Sequence, residues 1–118
     1  MSIEKMVGKT IVKVDDSNAY NAEIKFICSD GSVFKTVHHQ SCCENVYFSD
    51  SDNPLNLLVG EKIVAAYYIE QDILGLEYGT GTYTFYTLAT QKVSVTMRFI
   101  GESNGYYSEH VDFKEIEK

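Results

Sequence analysis

Between residues 93 and 99 every second side chain is apolar, with Val93, Val95, Met97 and Phe99 on one side of an extended chain and Ser94, Thr96 and Arg98 on the other. A period of two lets a segment bury one face as a strand, and it recurs along the chain. In 22–28 apolar Ile24 and Phe26 alternate with Glu23 and Lys25. Ser29-Asp30-Gly31 supplies turn chemistry, and 33–37 returns as the hairpin partner. Segments 10–14, 63–69 and 83–89 read as further strands, the last two joined through the glycine-containing 75–81 region. Residues 46–48 are a short extended segment, and Val111 and Phe113 continue the pattern after 101–108. The expected fold is mainly β (α+β): an antiparallel sandwich or partly closed barrel of about seven strands with one short helix.

That helix is expected at 54–59, with Asn53 as N-cap, Pro54 in the first turn and Gly60 past the end. The acidic run before it does not follow EF-hand spacing, so capping is preferred to calcium binding. Val59-Gly60-Glu61-Lys62-Ile63-Val64 echoes Val7-Gly8-Lys9-Thr10-Ile11-Val12. A glycine ending a turn before β-branched residues accounts for that echo without a repeat. The charged end, 114–118, is expected to fray. For the last hairpin, matching apolar faces sets Phe99 opposite Val111, Met97 opposite Phe113 and Arg98 opposite Asp112.

The 118 residues fit a single domain, 1–118, and 44% hydrophobic with 23% charged residues describes a chain able to bury a core. A net charge of −7 repels phosphates and argues against nonspecific nucleic-acid binding. No export segment and no apolar run of membrane-spanning length is legible, which points to the cytoplasm and away from a membrane. There Cys28, Cys42 and Cys43 are expected to be reduced.

Chemistry is concentrated in His38-His39-Gln40, Ser41 and Cys42-Cys43-Glu44. If the preceding strand continues, His38 and His39 point to opposite faces, so one lines a given pocket. Zinc would need His38 with Cys42 or His39 with Cys43, completed by His110 or Glu102. Adjacent cysteines aim poorly at one ion, so no metal and no cofactor is expected. A Cys-His nucleophile lacks an evident oxyanion site, and inward packing of one His and one Cys is the plain structural reading. The Gly79-Thr80-Gly81-Thr82 segment lacks the Gly-Lys-Ser/Thr ending of a phosphate loop and reads as a hairpin loop.

The strings Val7-Gly8-Lys9-Thr10-Ile11-Val12, His38-His39-Gln40-Ser41-Cys42-Cys43-Glu44-Asn45-Val46-Tyr47, Phe85-Tyr86-Thr87-Leu88-Ala89-Thr90 and Gly101-Glu102-Ser103-Asn104-Gly105-Tyr106-Tyr107-Ser108-Glu109 spread across most of the chain. Together they resemble a family of small bacteriophage and prophage proteins of unknown function. The resemblance implies a setting, an accessory protein in the cytoplasm of an infected bacterial host, and implies no reaction. Within it, the residues suggest a non-enzymatic sponge that sequesters a small nucleotide-like immune signal. Tyr106 and Tyr107 would stack on a base, Arg98 and His38 or His39 would meet phosphate, and Glu102 would add a polar contact. The competing readings are an acidic module that blocks a host defence enzyme and a small His/Cys-dependent hydrolase. Self-association into a homo-oligomer is left open. The sponge reading further expects the 38–39 strand end to lie beside the 101–107 connection.

Overall fold

A computed structural model describes residues 2–116. Eight strands form two four-stranded antiparallel sheets. One contains β1 (Ile11–Asn18), β2 (Glu23–Cys28), β3 (Val33–Val37) and β8 (Asp112–Glu115), in that order. The other runs β4 (Asn45–Ser51), β7 (Ser94–Ser103), β6 (Thr80–Ala89), β5 (Ala65–Asp72). The sheets pack face to face and are not closed into a barrel. Phe113 of the first lies 5.4 Å from Tyr86 of the second, and also stacks on Phe26 at 5.7 Å. Buried Ile24, Phe34, Leu88, Val95, Met97 and Phe99 complete the shared core. Thr36 is tolerated there because its hydroxyl takes the Ile24 N–H and donates to the Ala22 carbonyl, both at 2.9 Å.

The hairpins expected from local signals form. Phe26 pairs with Phe34 around the Ser29–Gly31 turn, and Ile69 pairs with Phe85. The expected last hairpin does not. β7 lies between β4 and β6, with Phe99 opposite Phe48 and Thr84, whereas β8 pairs with β3, setting Phe113 opposite Thr36. Alternation identified the inward side chains correctly, but apolar faces meet equally well across two sheets as across two strands. The helix also needs correction: 3-10 turns Ser2–Met6, Ala19–Asn21 and Leu55–Leu58 are the helical elements described. Pro54 remains extended (ψ 137), and the Asn53 side chain donates to the Ser94 carbonyl instead of capping. Of the expected fraying end, Lys114 and Glu115 belong to β8, and Glu117 and Lys118 lie outside the described residues.

The sequence echo has a structural meaning that the six residues alone did not carry. Each half of the chain runs a 3-10 turn with two buried apolar residues (Ile3 and Met6; Leu55 and Leu58), a glycine in left-handed conformation (Gly8; Gly60), and then four strands. The first three form a meander and the fourth crosses into the other half's sheet. The echoed segments bond reciprocally: Gly8 N–H donates to the Ile63 carbonyl and Gly60 N–H to the Ile11 carbonyl, each at 2.8 Å. Because both fourth strands cross, the connections leading into them, residues 38–44 and 104–111, arrive at the same end of the sandwich.

Candidate functional site

His38, just past the end of β3, is the hinge of that end. Its side chain is 2% exposed, its Nδ1 donates to the His110 carbonyl at 2.7 Å, and its Nε2 meets Glu44 Oε2 at 2.9 Å. Glu44 also accepts the N–H groups of Ser41 and Cys42, each at 2.9 Å. Burial pushes the Glu44 carboxyl up, but these N–H groups and the imidazole outweigh it and bring the pKa down to about 2. The His110 carbonyl and the Glu44 carboxylate are both acceptors, so the His38 ring is held between them by its two nitrogens. The result is a buried polar clamp joining the end of β3 to the start of β4.

His39 points the other way, as the pleat requires, and is 66% exposed with Nε2 at 3.5 Å from Asp112 Oδ2. His110 bridges Asp112, at 2.7 Å from Nε2, and Glu70 of β5, at 3.3 Å from Nδ1. The second connection has a carboxylate of its own. Glu109 takes the Thr80 and Ser103 hydroxyls at 2.5 Å and the Thr82 hydroxyl at 2.7 Å; although burial raises its pKa, these donors lower it overall. Gly101 makes room for it: a Cβ there would sit 2.6 Å from the Glu109 carbonyl oxygen.

The expected adjacency of the two connections is visible, since Asn45 pairs with Glu102 and His38 bonds the His110 carbonyl. This end gathers His38, His39, Glu102, an exposed Tyr106 and a partly buried Tyr107. Arg98 is not among them. It lies on the same outward face of β7 as Glu102 but four residues further from that end, makes a two-pronged pair with Asp50 at 2.8 Å for each prong, and lies 5.6 Å over the Tyr83 ring. A nearby cleft of about 460 Å³ is lined by Asp72, Leu74, Leu76, Thr80, Thr82 and Glu109 among others, with no Lys or Arg among the described residues that line it.

The thiol expectation also changes. Cys42 and Cys43 are bonded to each other in the exposed turn, where adjacency brings their sulfurs together, and Cys28 remains a free thiol in the core. Burial pushes the Cys28 thiol up, away from the nucleophilic thiolate. Among the described residues no three His, Cys, Asp or Glu side chains converge on a metal position. Sequence reading missed Glu44 as the central acceptor, together with Glu70 and Asp112. For Glu44 and Asp112 the useful signal was their position on or beside the two matching connections, visible only once the echo is taken as a repeat of topology.

The chain belongs to the family described as a domain of unknown function (DUF7448), whose model matches residues 4–113. No curated protein and no solved structure matches the chain.

Proposed function

We propose that this chain is a non-enzymatic interaction module, an acidic blocker of a host protein, acting in the cytoplasm of a phage-infected bacterium. The setting follows the resemblance in its sequence strings. The observation that carries the mode of action is a contrast in availability. Side chains suited to chemistry or phosphate binding satisfy one another: His38 with Glu44, Arg98 with Asp50, Cys42 with Cys43. Along β5 and the adjoining segments 73–78 and 104–107 the side chains left open are instead apolar, aromatic and polar or acidic: Tyr67, Ile69, Leu74, Tyr78 and Tyr106, with Glu70, Gln71 and Asp72 also exposed. Exposed aromatic surface rimmed by one sign of charge suits a protein partner of the opposite sign. No transmembrane helix is needed for such a role, and among the described residues no helix is long and apolar enough to cross a membrane.

Capture of a nucleotide-like signal is the second reading. It is favoured by the convergence of Tyr106, Tyr107 and His39 at one end beside the 460 Å³ cleft. The carboxylates of Asp72 and Glu109 in that cleft oppose a phosphate, which is why the blocker ranks first. Affinity capture with the tagged chain from a bacterial lysate, with native mass spectrometry of the eluate, separates the two. A blocker brings down one protein in stoichiometric amount and no small-molecule adduct. A nucleotide-mass adduct without a protein partner overturns the ranking.

A further inference from the structure

The halves place β1 and β5 in equivalent positions, each pairing with one neighbour at the margin of its sheet. β1 meets solvent in the manner of a protected edge, exposing Lys13, Asp16 and Ser17 beside Val12. β5 does not: Tyr67 is 52% and Ile69 56% exposed, and every residue from Tyr67 to Asp72 is exposed. Equal topology with unequal chemistry isolates β5 as the specialised edge.

Half of its backbone groups also turn away from β6, on a strand that the Ser2–Met6 turn packs against. Ile73 N–H donates to the Gly81 carbonyl, and residues 73 and 81 continue the register of Asp72 with Thr82. Groups alternate along a strand, so 67, 69 and 71 turn theirs toward β6, while 68, 70 and 72 present theirs outward. The same period sorts the side chains. Tyr68, whose ring lies 5.8 Å from that of Tyr86, shares the inner face with Glu70 and Asp72; Tyr67, Ile69 and Gln71 occupy the outer face beside Tyr83 and Phe85. Among the described residues no Lys or Arg pairs with Glu70 or Asp72, and Glu70 shares only the His110 imidazole. Asp112 and Glu4 add negative charge nearby: together with Glu70 they reinforce the rise in the Tyr86 pKa that burial chiefly causes.

We infer that β5 accepts an extended segment of a partner protein as a ninth strand, with basic side chains over Glu70 and Asp72 alternating with apolar ones over Tyr67 and Ile69. This deepens the interaction-module reading and rests on it. Main-chain bonds along residues 68–72 would supply affinity, and the alternation of basic and apolar positions would supply register. The charge of the edge selects a basic occupant, and the net charge of −7 disfavours a second copy of this chain.

The test titrates the labelled full chain with the peptide acetyl-Val-Lys-Val-Lys-Val-Lys-Val-amide, with a block-scrambled peptide of the same composition as control, and reads amide exchange by NMR. The alternating peptide is expected to protect the amides of Tyr68, Glu70 and Asp72. Its binding should weaken roughly tenfold or more in the E70K/D72K variant, whose fold is checked by circular dichroism. Equal binding of both peptides, protection located elsewhere, absence of binding, or prior protection of these amides in a self-paired dimer overturns the inference. The two levels separate in the lysate experiment: if E70K/D72K still captures the wild-type partner, the β5 assignment falls and the interaction module stands. If the wild type captures no protein, the module reading itself falls.

Discussion

The strands β2 and β6 hold equivalent places in the two halves and do the same thing, whereas β1 and β5 hold equivalent places and do not. Phe26 and Tyr86, the inward aromatics of β2 and β6, are both buried and both pack on Phe113. The edges differ in side chains while keeping their topology. What is common to the halves therefore describes what the fold requires, and what differs points to what the fold is for.

The largest effect expected is on the shared part. Phe26→Ala and Tyr86→Ala should each cost about 3–5 kcal/mol in urea unfolding, the range for large aromatics lost from a packed core. A small cost at either position would mean that the halves do not share one core. The connections give the next contrast. The folded Glu44 carboxyl titrates below its ordinary value of 4.5, at about 2, so its contribution is present above pH 4.5 and is lost as pH falls through that interval. Glu109 is displaced in the same direction. The urea midpoint of the wild type should therefore fall between pH 4.5 and 2 more steeply than that of Glu44→Gln. Parallel curves would show that the His38 clamp contributes nothing through charge.

Smaller still is Thr84→Val. The Thr84 hydroxyl is buried on β6 with no hydrogen-bond partner among the described residues, opposite Glu70 of β5. An isosteric methyl should raise stability by about 1 kcal/mol, measured by urea unfolding. The smallest effect is expected at the edge. Ile69→Thr should change stability by no more than about 0.5 kcal/mol, as should Val12→Thr on β1. A loss at Ile69 comparable to Phe26→Ala would make the exposed edge structural and erase the contrast between the halves.

Much of the strand content was legible because turn residues and period-two alternation are local. Gly31, with φ +87, sits where the Ser29-Asp30-Gly31 signal put a turn. Partner choice was not local: Phe99 and Phe113 face the same core from different sheets, and no pattern within 93–113 says that β8 returns to β3. The clamp escaped notice for a related reason. Glu44 matters through the backbone N–H groups of Ser41 and Cys42, which side-chain spacing does not show. At β5 the sequence reading stopped at a strand over 63–69 and did not show that Tyr67 and Ile69 stand in solvent. Of the expected site, the gathering of His38, His39, Glu102, Tyr106 and Tyr107 was foreseeable from loop chemistry. The isolation of Arg98 was not, because it depends on Asp50 from a strand nearly half the chain away.

The carboxylates along β5 have a second consequence, for handling the protein. An aromatic strand with outward-facing amides is a template for aggregation, and Glu70 and Asp72 act there as gatekeepers whose repulsion keeps copies apart. Repulsion between exposed charges reaches only about 8 Å at physiological ionic strength and about 3 Å in molar salt. Concentrated stocks should therefore stay clear in dilute buffer and turn turbid as salt is added, with thioflavin fluorescence rising at the same step. The condition usually chosen to suppress nonspecific contacts would, for this chain, remove the guard from its stickiest strand.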